Sequence, residues 1–207
     1  MNAPMLADNI IADAKGHKRF IVAIAGPPGA GKSSLAEALL SLLTKKTVQA
    51  RIVPMDGFHL DNELLAHAKL TDRKGAPDTF DVAGFIHLMK RLVSLEDNVV
   101  IPTFDRTKDL SIAGAQMVSI NDRVLIVEGN YLLLKQQPWA QLKRFWDHTI
   151  FINPGIDVLE KRLINRWLEY GLEPEAAMLR ALGNDIPNAH CVLEHSAGSD
   201  QSVNGLT

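Results

Sequence analysis

A doubly wound α/β fold, with a mostly parallel sheet between two layers of helices, is what this 207-residue sequence predicts. Short β-branched runs alternate with longer stretches of helical periodicity. The runs are apolar nearly throughout, as strands buried on both faces are. No internal repeat, low-complexity tract or Pro/Gly/Ser-rich linker breaks the alternation before Ser196, so the whole of 1–207 reads as one domain with its core at about 20–170.

Residues 3–14 open the chain as a helix with Leu6, Ile10 and Ile11 turned inward. Phe20–Ala25 is the first strand. Leu35, Leu39, Leu42 and Leu43 then recur at i, i+4, i+7 and i+8, which puts one apolar stripe on a helix starting near Lys32. Residues 50–55 form the second strand. Phe85, Leu88, Met89 and Leu92 repeat the stripe on a helix that Asp81 is placed to cap. Residues 99–103, 124–128 and 149–152 supply the remaining strands, and a last long helix over 156–170 ends at Gly171. The small, polar stretch 196–207 is expected to fray as a tail.

Composition narrows the function. Lys plus Arg (22) against Asp plus Glu (24) leaves a net charge of −2, so no polycationic field exists to hold nucleic acid or an anionic membrane, and any anion must be gripped locally. With 46% hydrophobic and 22% charged residues the chain is an ordinary globule. Cys191 has no second cysteine to pair with, and Asp8, Asp13 and Lys15 interrupt the leading segment where a signal peptide needs an apolar run. A cytoplasmic location is the expected reading, and a homodimer is left open.

The sharpest signal is GPPGAGKSS at 26–34, which satisfies G-x-x-x-x-G-K-[ST] at Gly26, Gly31, Lys32 and Ser33. It follows an apolar strand and opens an amphipathic helix, so backbone N–H groups of Gly29, Ala30, Gly31 and Ser34 and the positive helix end converge on one spot. A Cβ at Gly29 or Gly31 is expected to keep the backbone from closing around phosphate oxygens. Lys32 then reaches the β- and γ-phosphates of ATP, and the Ser33 hydroxyl is a ligand for Mg²⁺.

Ligands of open α/β sheets bind beyond the carboxyl ends of the strands, so acids there carry weight. The second strand runs into Asp56-Gly57-Phe58-His59. Asp56 can accept the proton of an attacking hydroxyl or hold the water shell of Mg²⁺, although alone an Asp-Gly turn explains the same letters. His59 follows it toward the crevice and can hydrogen-bond a substrate oxygen. Glu128 ends the VLIVEG run, where its carboxylate can meet the metal, its water or the substrate. Phe104, Asp105 and Arg106 end the third run; Asp105 can orient a sugar-like hydroxyl and Arg106 can neutralise an anion, while a surface Asp-Arg pair accounts for them almost as well. Arg162 and Arg166, at i and i+4, can clamp a phosphoryl group in flight, against the alternative of a solvated face partnered by Glu160 and Glu169. His190, Cys191 and His195 lack a fourth ligand for zinc. Trp139, Trp146 and Trp167 read as packing residues, and 183–188 as either a turn or a segment near the adenine.

The motifs GPPGAGKSS, MDGFHLDN, RKGAPDTFD, IPTFDR and VLIVEGNYLLL, in that order, resemble the phosphoribulokinase and uridine kinase superfamily, with bacterial-type pantothenate kinase as a relative. Within it the chain is most similar to small bacterial proteins called nucleoside/nucleotide kinase family or fructose transport system kinase. The resemblance implies a P-loop NTPase three-layer αβα sandwich with a helical lid. It also implies an ATP- and Mg²⁺-dependent kinase acting on a hydroxyl of a small molecule, with Asp56 as base. Asp78, Phe80 and Asp81 fall near the acceptor, Tyr131 lies in the last motif beside Glu128, and Arg162 and Arg166 take the place of lid arginines. Phe104 stands where uridine kinases carry tyrosine, which removes a hydroxyl that reads the acceptor. The rival from another class is an ATP-binding regulatory or transport-accessory protein without metabolite kinase activity.

Overall fold

Residues 2–204 are described by a computed structural model. Its strands are β1 (Phe20–Ala25), β2 (Ala50–Pro54), β3 (Val99–Asp105), β4 (Leu110–Val118), β5 (Val124–Gly129), β6 (His148–Ile152) and β7 (Gln201–Val203). Its α-helices are α1 (Ala3–Asp13), α2 (Lys32–Lys45), α3 (Asn62–His67), α4 (Val82–Val93), α5 (Ile156–Glu169), α6 (Pro174–Arg180) and α7 (Ile186–His195). Five strands form one sheet in the order β2-β5-β1-β6-β7, every pair parallel.

Alternation of side chains along β1 and β5 builds two cores, one on each face of the sheet. Ile21, Ala23, Ala25, Leu125 and Val127 pack with Phe85, Met89 and Leu92 of α4. Phe20, Val22, Ile24, Val124 and Ile126 pack with Leu6 and Ile10 of α1, Leu35 and Leu39 of α2, and Leu159 and Leu163 of α5. Burying each such leucine contributes about 2 kcal/mol. The sheet is thus covered on both faces, and polar groups can gather only at its ends.

Register sets what meets there. Glu128 of β5 pairs with Ile24 of β1 on one side and Pro54 of β2 on the other. The segments leaving β1 and β2 therefore flank Glu128. The chain crosses from β1 through α2 to β2 and later returns β5 between them, so this end is a topological switch point.

The third predicted run departs from expectation. β3 lies outside the parallel sheet and pairs antiparallel with β4 in a two-stranded ribbon. Val99 and Ile101 are buried while Val100 is half exposed, the pattern of a strand buried on one face, and Pro102 lacks the N–H a central strand would donate. The segment 183–188 is no turn: Ala181–Asp185 is a π-helical stretch continuous with α7. Nor does the tail fray throughout. Gln201–Val203 adds to the edge of β6, with Thr149 N–H donating to Asp200 Oδ2 at 2.9 Å; the expectation for 205–207 lies outside the described residues. Among the described residues no helix is long and apolar enough to cross a membrane.

Candidate active site

The chain leaves β1 through Gly26, where a Cβ would come within 2.5 Å of the Ile152 carbonyl oxygen on β6. Glycine is needed here for close packing of two strands. Gly29 and Gly31 have φ of +78° and +95°, left-handed conformations that favour glycine. A Cβ at Gly29 would press on Leu163 Cγ of α5 at 3.2 Å, and one at Gly31 would stand 3.9 Å from Arg162 Nη1. Backbone conformation favours glycine at both positions, and packing against α5 adds a further reason at Gly29.

α2 begins at Lys32 with Gly31 as N-cap and no capping side chain, so its first-turn amides are free of side-chain partners and present the positive helix end. Lys32 is buried, and its Nζ donates to the Pro27 carbonyl at 2.9 Å across the loop. Burial pulls its pKa down to about 8, with Arg106 and Arg166 adding to the effect and Glu128 and Asp56 opposing it. A desolvated ammonium beside uncapped amides fits a polyanion, whose arrival would restore the charge's solvation. The loop suits a triphosphate on these grounds.

Opposite stand two carboxylates. Glu128 is buried, and burial reinforced by the nearby Asp56 pushes its pKa up to about 7, while Lys32, Arg106 and a hydrogen bond with Ser33 hold it down. Ser33 and Glu128 thus form a hydroxyl–carboxylate pair of the hard-oxygen chemistry Mg²⁺ prefers. Asp56 sits in a 3₁₀ turn, Met55–Phe58, directly after β2, and its Oδ2 accepts from Arg106 Nη2 on the ribbon. His59 Nδ1 lies 2.7 Å from the Asp56 carbonyl oxygen, and its ring stacks at 4.1 Å on Phe80 and 4.4 Å on Phe104. Burial lowers its pKa, which favours the neutral imidazole.

These groups share one cavity of about 820 Å³. Of the residues expected from sequence, Gly29, Gly31, Lys32, Ser33, Ser34, Asp56, His59, Phe104, Arg106, Glu128 and Arg166 line it. Others stand elsewhere. Gly26 and Ala30 are buried within the loop and lie outside the lining. Arg162 does not join Arg166 in a clamp: its Nη1 donates to the Gly29 and Ala30 carbonyls at 3.2 and 3.3 Å and braces the loop from outside. Asp78 pairs with Arg73 at the surface. Asp81 caps α4 through Gly84 N–H at 2.8 Å. Asp105 closes the ribbon turn by accepting from the Thr107 and Lys108 amides. Phe80 and Tyr131 are buried against Trp139, with the Tyr131 hydroxyl donating to the Gly75 carbonyl. Each is occupied structurally.

Sequence reasoning missed much of the far wall. Lys74 donates to Asn62 Oδ1 and the Asp109 carbonyl, both at 2.7 Å, and pairs with Asp109 Oδ2 at 2.8 Å. One partly buried ammonium therefore joins α3, the 71–75 loop and the ribbon turn. The RKG segment held the signal, but its partners are distant in sequence. Trp167, read as packing, lines the cavity, and the guanidinium groups of Arg166 and Arg180 lie 5.4 and 5.3 Å from its ring centre. Asp185 and Asn188 line the same wall.

Comparison with known proteins identifies the family. The family model described as "Phosphoribulokinase / Uridine kinase family" matches residues 21–178. The chain is 35% identical over 181 residues to the uncharacterized protein YggC of Escherichia coli (strain K12), covering 86% of this chain and 75% of that one. It is 32% identical to "Putative uridine kinase C227.14" of Schizosaccharomyces pombe, covering 84% and 78%. Among solved structures, a "putative fructose transport system kinase" from Silicibacter sp. TM1040 superposes with a TM-score of 0.93 at 41% identity, over 98% of this chain and 99% of that chain.

Proposed function

The chain belongs to the phosphoribulokinase/uridine kinase family of P-loop kinases, and from that premise we propose that it transfers the γ-phosphate of Mg·ATP to a hydroxyl of a small metabolite, as one cytoplasmic kinase domain. The observation that carries this reading is the single cavity in which Lys32 and the uncapped start of α2 face Asp56 and Glu128.

In this reading the loop amides and Lys32 hold the β- and γ-phosphates, and Arg166 reaches the transferring group from α5. Ser33, with Glu128 beside it, would hold Mg²⁺, which would supply neutralisation of phosphate charge. Asp56 exchanges its Arg106 contact for the acceptor hydroxyl and takes its proton. The acceptor oxygen bonds to the γ-phosphorus as the bond from that phosphorus to the β–γ bridging oxygen breaks, and ADP leaves. Alignment and electrostatic stabilisation supply most of the rate, since the protein forms no covalent bond. The acceptor belongs to the sugar, nucleoside or pantothenate-like alcohols.

Asp56→Asn tests the assignment. The variant should bind Mg·ATP, measured by calorimetry, and lose acceptor-dependent ADP release in a panel of such alcohols. Full transfer by Asp56→Asn would refute the base role.

A further inference from the structure

Between α6 and α7 the chain is helical but not uniformly so. Ala181–Asp185 forms a π turn, a rare geometry that concentrates at functional sites. Its neighbouring side chains divide between two walls of the cavity. Arg180 Nη1 donates to the Asp72 carbonyl at 2.8 Å, and Asn184 Nδ2 donates to the Lys74 carbonyl at 2.9 Å. These residues, four apart, share one face. Both hold the backbone of the 71–75 loop, whose Lys74 fixes the acceptor end of the cavity.

Asp185 turns the other way. Its buried Oδ2 accepts from Arg166 Nη2 at 3.0 Å and from Trp167 Nε1 at 2.6 Å, both on α5. Among the described residues this carboxylate is the hydrogen-bond partner of the Arg166 guanidinium, whose Nε is buried without one. An arginine held at one corner loses rotamer freedom and keeps its remaining donors for an anion. Asn188, one helical turn after Asn184, comes within 3.4 Å of its Oδ1 and backs it.

We propose that Asp185 and Asn184 are positioning residues of the transfer reaction: Asp185 aims Arg166 at the transferring phosphoryl group, and Asn184 sets the acceptor loop at Lys74. Two consecutive residues on one turn thereby fix the distance between the nucleotide and acceptor ends. Movement of Arg166 on nucleotide binding is transmitted to the 71–75 loop through that turn. This rests on the kinase reading for what Arg166 and the loop hold, whereas the mechanical link stands without it.

Titration of Mg·AMP-PNP into the wild type, Asp185→Ala, Arg166→Ala and the double variant tests the first half. Each single change should weaken binding about tenfold, in the range of a lost charge-assisted contact, and the double variant should bind no worse than Arg166→Ala. A full additional loss in the double variant would overturn the role, because a merely structural aspartate would add its effect independently. Where exchange in β1 shows that Asp185→Ala loosens the whole protein, Asp185→Asn, which keeps the shape, replaces it. Hydrogen exchange tests the second half. With no nucleotide present, Asn184→Ala should speed exchange at 71–75 by about fivefold, the effect of one net hydrogen bond. Mg·AMP-PNP should protect that loop in the wild type and not in Asn184→Ala or Asp185→Ala. Unchanged exchange at 71–75 in Asn184→Ala, or nucleotide protection that survives both substitutions, would overturn the link. Failure of the wild type to bind Mg·AMP-PNP would instead overturn the kinase reading and the aiming of Arg166, and the nucleotide-free exchange would still decide the link.

Discussion

The two ends of the cavity are built by different means. At the nucleotide end the functional groups are consecutive: a strand, a glycine loop, Lys32, Ser33 and the start of α2. Backbone amides and a helix end make that site, with buried charge concentrated in Lys32 and Glu128. At the end proposed for the acceptor, Asn62, Lys74, Phe104, Arg106 and Asp109 come from separate segments; Lys74 ties Asn62 to Asp109 and lies 5.3 Å from the Phe104 ring centre, while Arg106 is held by Asp56. The contrast teaches that the proposed nucleotide site is a property of one local structure, whereas the proposed acceptor site needs the 71–75 loop, α3 and the ribbon to meet. One end is suited to a fixed partner, and the other can change its ligand by changing loops.

Substitutions sharpen this difference. Lys32→Ala should have the largest effect, reducing acceptor-dependent turnover by about 10³-fold or more, because in the proposed reading the charge it removes meets the transferring phosphate; residual activity within tenfold of wild type would break the view of that end. Asp56→Asn should lower kcat by roughly 10²–10⁴-fold, the usual range for loss of a general base. Glu128→Gln separates function from stability. The unfolded carboxyl ionises near 4.5 and the folded one near 7, so the folded state carries the extra proton between these values and wild-type stability falls as pH rises through that window. Glu128→Gln should therefore unfold at a higher temperature than wild type at pH 8, by an amount that shrinks toward pH 5, while losing transfer activity. A stability difference constant across that range would contradict the buried-charge account.

The acceptor end should respond differently. Lys74→Ala should raise the acceptor KM about tenfold, since it unties three segments without removing a reacting group, a loss on the order of 1.4 kcal/mol. A pure kcat effect would count against the assignment. Asp81→Ala should cost about 1 kcal/mol of stability through the lost α4 cap, read from denaturant midpoints, and leave kcat near wild type.

The same division governs what the sequence disclosed. β1, β2, β5 and β6 and the long helices were legible to within a residue or two because their apolar periodicity is local. So was the loop, whose signature is contiguous. The place of β3 outside the parallel sheet was not legible from its three apolar residues, which fit a central strand and a ribbon alike; Pro102, which lacks a ladder N–H, and the exposure of Val100 separate them. Asp78, Asp81 and Asp105 attracted functional readings as acids near element ends, yet surface pairing, helix capping and turn closure use that same chemistry. α3 and α6 are too short to show a period, and Lys74 meets Asp109 across 35 residues of chain. Arg162 and Arg166 share a helix face as their spacing required, but only packing against the loop decides that one braces and the other lines the cavity.

Phosphorus NMR of Mg·ATP incubated with the wild-type protein and a panel of sugars, nucleosides and vitamin alcohols tests the central claim most directly. The account predicts that one class of alcohol yields ADP together with a new phosphomonoester resonance, and that Asp56→Asn yields neither. Inorganic phosphate as the sole product, formed at a rate indifferent to every alcohol, would contradict it.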